Sequence, residues 1–306
     1  MNYQPRWGDT FTPTNKNNNI RIIYQNANGL SASRSTGFSK TTNTIAATIS
    51  LQPDALAYSE TNVFWGNATM LRATKQCFTA VYGQGSLQSA HNTHFTPSSH
   101  YVYPDALTGG VCQWVNPSLT PRITHTDTDH LGRFAAALIH GPAGQALHLI
   151  TAYRPVVSDG PFSVMKQQKK FLGANSDPRE AILQDLQKIV SAAHRANDTV
   201  ILCMDANETI PEMAPIIATG ILKFCRNAGL VDALSTLHGH CPINSCNKSS
   251  GSPIDFIFCS PDLLPHIRVG MLNEAQGSDS DHFAYGIDIN EHFLWQTPAI
   301  VNPLIC

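Results

Sequence analysis

The chain is short of charge. Of its 306 residues only 14% are Asp, Glu, Lys or Arg, against a usual share of about 25%. Lys and Arg number 20 against 22 Asp and Glu, for a formal net charge of -2 and a pI of 6.7. Proteins that grip nucleic acid nonspecifically rely on cations that neutralise phosphates. A chain this near neutrality would need a local patch to do so. Basic residues gather modestly at Lys166, Lys169 and Lys170 and again at Arg179, which reads first as a solvated helix face or loop. No apolar run approaches the roughly 18 residues of a membrane span. The polar N-terminus lacks the apolar core of a signal peptide. None of the eight cysteines forms a Cys-x-x-Cys pair, and Cys203 and Cys259 sit inside apolar runs, where a thiol behaves as a small hydrophobe. Reduced thiols in an intracellular setting are expected. His238, His240, Cys241 and Cys246 lie close together, but their spacing fits no usual zinc framework.

What is present is a large apolar share, 42%, enough for one substantial core. Residues 1–19, rich in Asn, Thr and Pro, read as a flexible N-terminal arm, and 296–306 as a tail or linker. A single domain over 20–295 is expected. Within it, Ile20 to Gln25, Asp54 to Tyr58, Phe78 to Tyr82, Gly110 to Val115, Val200 to Met204, Ile254 to Cys259 and Phe283 to Ile289 read as strands. Arg133 to His140 and Ala146 to Tyr153 read as a pair around the turn Gly141-Pro142-Ala143-Gly144. Helical spacing predicts helices over Ser39 to Leu51, Pro178 to Ala196 and Ile216 to Ala228, the second capped by Asp177 or Ser176. The stretch Gln84 to His100, with His91, His94 and His100 and no carboxylate beside them, reads as a long surface loop rather than a metal site. Mixed hairpins and crossovers indicate an α/β chain with mixed sheets.

The informative feature is where acids and amides fall. Asn26, Glu60 and Asp205 each follow an apolar strand directly. Strand ends are where α/β sheets bind ligands, and several acids there suggest a shared cation or a phosphate-binding cleft. Asp255 lies in mid-strand, flanked by Ile254 and Phe256, and needs a partner. His282, preceded by Asp281, is the natural one. A carboxylate on one imidazole nitrogen fixes the tautomer and favours the protonated ring, which leaves the other nitrogen to act on a phosphate oxygen or a water.

These residues carry a resemblance. Gln25-Asn26-Ala27-Asn28-Gly29-Leu30 resembles the first motif of the endonuclease/exonuclease/phosphatase superfamily, the group of exonuclease III and the abasic-site endonucleases. Ser59-Glu60-Thr61 resembles its Q-E-T motif, with Ser for Gln. Asp129-His130-Leu131-Gly132-Arg133 is similar to a D-x-x-G-R run leading into a central strand. Thr151-Ala152-Tyr153-Arg154-Pro155 looks like T-A-Y-x-P, and Met204-Asp205-Ala206-Asn207-Glu208 is similar to G-D-x-N. Ile254-Asp255-Phe256-Ile257 resembles I-D-Y-I, and Ser280-Asp281-His282 matches the terminal S-D-H. They fall in family order from residue 20 to 289.

The resemblance implies a four-layer α/β sandwich of two mixed β-sheets flanked by helices. It also implies a Mg²⁺-dependent phosphodiester hydrolase, with Mn²⁺ as a substitute. Glu60 would be the main metal ligand, with Asn26 and Asp281 close to the ion. Asp205 would orient or deprotonate the attacking water, and Asn207 would hold the phosphate or the nucleophile. His282, paired with Asp255, would bind the scissile phosphate, and Tyr153 would contact the same phosphate or assist the leaving oxygen. Two positions depart from the pattern: Asn28 stands where many nucleases carry Asp, and Asn62 replaces a Lys common in abasic-site endonucleases. The motifs look closest to the DNA endonuclease domain of non-LTR retroelements, which implies DNA as partner, a nuclear setting and, for a fragment, a reverse transcriptase domain beyond it. A monomer is expected. The neutral pI equally suits a family phosphatase or phosphodiesterase acting on a phosphoinositide, sphingomyelin or nucleotide, and a catalytically inactive binding module is the third reading.

Overall fold

A computed structural model describes residues 5–12, 18–30, 39–94, 107–142, 144–211, 220–247, 251–273 and 280–295. The expected tail at 296–306 and His100 lie outside them. In chain order the elements begin β1 (Trp7–Gly8), β2 (Asn19–Asn26), α1 (Ser39–Ala47), β3 (Ala55–Ser59), α2 (Ala68–Tyr82), β4 (Ser86–Ala90) and β5 (Val111–Val115). They continue with β6 (Ile123–Thr128), β7 (Phe134–His140), β8 (Ala146–Tyr153), α3 (Val164–Leu172), α4 (Pro178–Arg195) and β9 (Thr199–Asp205). Last come α5 (Gly220–Ala228), β10 (Val231–Asp232), α6 (Ala233–His238), β11 (Asp255–Cys259), β12 (Ile267–Met271), β13 (Tyr285–Asn290) and α7 (Glu291–Trp295).

The strands form two mixed sheets, ordered β1-β12-β13-β2-β3-β5-β4 and β10-β11-β9-β8-β7-β6. In each, one central pair is parallel, β2 with β3 and β8 with β9, and the rest are antiparallel. Between the sheets lies a core built from alternate residues of facing strands: Ile20, Ile22 and Tyr24, Ala55 and Ala57, Ile201 and Cys203, Ile257 and Cys259. The outer face of the first sheet is covered by Ile45 of α1 with Met70 and Phe78 of α2. The outer face of the second is covered by α4 and α5 through Ile182, Leu186, Val190, Ile221 and Phe224. This is the four-layer α/β sandwich that the motifs imply. No helix among the described residues is long and apolar enough to cross a membrane.

The helix over Pro178 to Ala196 forms almost as spaced, with Asp177 as the cap: its carboxylate accepts the Arg179 N–H. Asp177→Ala is expected to cost about 1 kcal/mol, the usual worth of such a cap, read as a shift in urea midpoint at unchanged slope.

Four local expectations differ from the structure. Phe78 to Tyr82 is the last part of α2, not a strand; short apolar runs do not distinguish the two states, and Asn67 caps a helix that starts well upstream. Ser86 to Ala90, inside the expected polar loop, is an edge strand paired with β5. The helix over Ser39 to Leu51 ends at Ala47 and resumes as a 3₁₀ turn, Ile49–Leu51. Part of the stretch read as an unpacked arm is packed: Trp7 and Gly8 pair with Met271 and Gly270, and Phe11 is fully buried. Gly270 and Gly286 make room for its ring; a Cβ at 286 would lie 2.9 Å from it.

Candidate active site

The alternation that fills the inter-sheet core also builds the site. In β2, Ile20, Ile22 and Tyr24 face the core, and Asn26 is next on that face. In β9 the inward series Ile201, Cys203 continues to Asp205, and in β11 Ile257 continues back to Asp255. Parallel pairing sets Asn26 beside Ser59 and Tyr153 beside Asp205, and antiparallel pairing sets Asp255 opposite Asp205. Both sheets therefore end their inward faces in polar residues at the same mouth.

Asn26 ties the two sheets together. Its Nδ2 donates to Glu60 Oε2 at 3.0 Å and to Asp205 Oδ2 at 2.8 Å, while its Oδ1 accepts the Asn28 N–H at 2.8 Å. Asp205 Oδ1 accepts the Asn207 N–H at 2.9 Å. Asn207 Nδ2 donates to the Arg154 carbonyl at 2.8 Å and lies 3.3 Å from Asp205 Oδ2. On the other wall, His282 Nδ1 and Asp255 Oδ2 lie 2.6 Å apart. Asn28 Nδ2 donates to Asp281 Oδ1 at 2.7 Å, which joins that carboxylate to the Asn26 turn. All eight residues singled out from the motifs thus gather at one cleft. Asn28, Glu60, Asn62 and Asn207 have left-handed backbones, with φ of 42°, 48°, 53° and 47°. Asn tolerates that region, but for Glu it is uncommon and costs energy.

The electrostatics are those of crowded, dehydrated acids. Burial pushes Glu60 up from the ordinary carboxylate range, against the pull of the Asn26 amide and of His282. Burial, and then the charge of Asp255, push Asp205 well up; His282 opposes them. For His282, burial alone would lower the pKa, but the charge and hydrogen bond of Asp255 outweigh it and hold it at about 10. The ring is therefore a cation at neutral pH. Burial, followed by the charges of Glu60 and Asp205, raises the Tyr153 hydroxyl well above its usual value, so it stays a neutral donor.

One atom each of Asp205, Asp255 and His282 lie within 4.8 Å of one another. A protonated imidazole is a poor neighbour for a metal ion on that wall. The carboxylates of Glu60 and Asp281 suit a hard cation such as Mg²⁺, while Asn26 presents its NH₂ and not its oxygen to Glu60. There the Asn26 NH₂ bridges two carboxylates, part of what a cation between them would do.

Sequence reading missed the supports of this site. Tyr24 donates to Asp255 Oδ1 at 2.9 Å, and Ser245 Oγ accepts the N–H groups of Ile254 and Asp255. The period-2 face of β2 was the available signal for Tyr24. Arg179, grouped in the sequence with the lysines, is instead buried. With Arg154 it braces Glu208 and the Asn207 carbonyl behind the site.

No protein-family model matches the sequence, and no curated protein matches it. Solved structures do match the fold. An AP endonuclease from Leishmania major aligns with a TM-score of 0.62 at 14% identity, over 94% of this chain and 93% of that one. An AP endonuclease from Archaeoglobus fulgidus aligns with a TM-score of 0.56 at 14% identity, over 89% of this chain and 99% of that one. The human Nocturnin catalytic domain with bound sulfate anion aligns with a TM-score of 0.54 at 14% identity, over 89% and 93%. The chain therefore has the fold these enzymes share, along nearly its whole length and theirs.

Proposed function

We propose that the chain is a Mg²⁺-dependent phosphodiester hydrolase that nicks DNA, related to the endonuclease domains of retroelements. The observation that supports it most is the single network running from Glu60 through Asn26 to Asp205, faced by a His282 cation on Asp255. Glu60 and Asp281 would hold the ion, joined by Asn26 once its amide turns its oxygen towards it, and the ion would neutralise charge on the phosphate.

The remaining roles belong to the chain itself. Asp205, dehydrated and fixed at both oxygens, takes the proton of the attacking water. Asn207, anchored on the Arg154 carbonyl, orients that water or the phosphate. His282 uses Nδ1 on Asp255 and turns its Nε2–H to a non-bridging oxygen, where a fixed cation stabilises charge that grows in the transition state. The Tyr153 hydroxyl donates to the same phosphate or to the leaving oxygen. DNA as substrate is supported by the fold shared with two AP endonucleases and by the quoted motifs. The net charge of -2 favours the second reading, a smaller phosphate ester.

Supercoiled plasmid separates them. With Mg²⁺ the expected result is conversion to the relaxed circle, abolished by EDTA and restored by added Mg²⁺ or Mn²⁺. Intact plasmid alongside phosphate release from inositol phospholipids or nucleotides would move the assignment to the second reading.

A further inference from the structure

The surface following Tyr153 is unlike the rest of the chain. Val156, Val157, Phe162 and Phe171 are among the few large hydrophobics exposed on described residues, at 50%, 75%, 47% and 53%. α3 lies in the same segment. It buries Gln167 and Gln168 and exposes Lys166, Lys169, Lys170 and Phe171. From Pro161 to Asn175 there is no acid, in a chain whose net charge is -2. The three lysines, with Gln167, Pro161 and Ala174, line an open pocket of about 460 Å³. Gln167 is 6% exposed; its Nε2 is held by Thr108 Oγ1 and the Phe162 carbonyl, and its Oε1 has no hydrogen-bond partner among the described residues.

Flat rings border this patch. His94 stacks on Phe171 with centroids 3.7 Å apart and planes at 17°. The patch is also joined to the cleft. Val164, the first residue of α3, packs against the cluster that contains Tyr153. Gly109 lies between them: a Cβ there would come within 2.9 Å of Val164.

We propose that this surface holds a single-stranded polynucleotide on one side of the scissile phosphate. Lys166, Lys169 and Lys170 track its backbone, and the His94–Phe171 stack receives a base. Basic grooves with interleaved aromatic platforms bind single strands in this way. The inference rests on the phosphodiesterase reading and adds that the strand flanking the cut is held unpaired, which a supercoiled plasmid supplies where it melts locally. Lysines beside exposed apolar groups also occur on interfacial helices, but a pair of stacked flat rings at the edge of the patch suits a base better than an acyl chain.

The test is equilibrium binding of a fluorescein-labelled single-stranded oligonucleotide and of a hairpin duplex to the full chain, in EDTA, across salt concentrations. The single strand is expected to bind more tightly. The variant K166Q/K169Q/K170Q is expected to flatten the slope of log K against log salt by about 2, three contacts at about 0.7 each. Phe171→Ala is expected to weaken binding on the order of tenfold, with Phe171→Trp restoring it. Melting curves should not move, since these side chains are exposed. An unaltered slope in the lysine variant, tighter binding of the duplex, or binding of phosphatidylserine vesicles in place of the oligonucleotide would each overturn the proposal. Hydrolysis of bis(p-nitrophenyl) phosphate, too small to span cleft and patch, reads the active site separately. Turnover of this diester with variant oligonucleotide affinities unchanged removes the single-strand track alone; no turnover with the track intact removes the hydrolase reading alone.

Discussion

Asp205→Ala is expected to lower metal-dependent phosphodiester turnover by roughly 10³-fold, within the range that a positioned general base contributes. The side chain is 1% exposed and fixed at both oxygens, by the Asn207 N–H on one and the Asn26 amide on the other. Burial and Asp255 hold its pKa well above the ordinary carboxylate range. A carboxylate so placed is a stronger base than one in water, and it is aimed without loss of entropy at the moment of reaction. His282→Ala removes the fixed cation that faces it and is expected to cost on the order of 10²–10³-fold, as loss of one preorganised donor does. Because both groups act on one transition state, the double variant should lose less than the product of the two. Initial nicking rates at saturating Mg²⁺ measure this. Stability is the control: deleting Asp205 removes an acceptor of several N–H groups but also a dehydrated charge, and these oppose one another. An Asp205→Ala enzyme within tenfold of wild type, with a normal circular dichroism spectrum, would exclude Asp205 as the base.

The buried strands and the cleft were legible because they rest on simple periodicities. Val200 to Met204 is apolar on both faces because β9 is central in its sheet, and Asp205 ends it where the inter-sheet core opens. The edges were not legible. β6, Ile123–Thr128, has the sequence of a loop because five of its six residues are exposed, and an edge strand gains more from polar side chains than from apolar ones. β4 is hidden for a different reason: it is buried or half-buried throughout, but Ser-Leu-Gln-Ser-Ala holds one large apolar side chain and no alternation. Phe11 carries no periodicity at all. Its burial depends on two glycines more than 250 residues away, a long-range complementarity that no local window contains. At the site, the chemical groups were visible as motif residues, whereas Tyr24 and Ser245 were not. Supports of that kind are defined by geometry between elements, and a tyrosine in a strand looks like any other core aromatic.

Arg21→Met is expected to destabilise the fold by about 3–5 kcal/mol, the usual cost of removing one partner from a buried ion pair, and to lower the melting temperature by roughly 10 °C. Arg21 and Asp288 are direct cross-strand neighbours in β2 and β13 and are both fully buried. The guanidinium meets the carboxylate with two bonds, Nε–Oδ1 at 2.6 Å and Nη2–Oδ2 at 2.7 Å. Its Nη1 donates to the Thr12 and Leu51 carbonyls at 3.0 and 2.8 Å, and its Cζ lies 5.4 Å from the centroid of the Phe11 ring. One side chain therefore joins the N-terminal stretch, the turn before β3 and the sheet. Even with this partner, burial raises the Asp288 pKa above its ordinary value. The native state then holds that proton more tightly than the unfolded chain, so stability from this group falls as pH rises from the unfolded pKa through the folded one. Without Arg21 the folded pKa rises further, and the deficit of the variant should shrink as the pH is lowered from about 7 towards 5. The double variant Arg21→Met/Asp288→Leu should recover much of the loss at neutral pH, because it removes the stranded charge. If Arg21→Met melts within about 2 °C of wild type, or if its deficit grows on acidification, the pair does not hold this part of the sheet in the way its geometry requires.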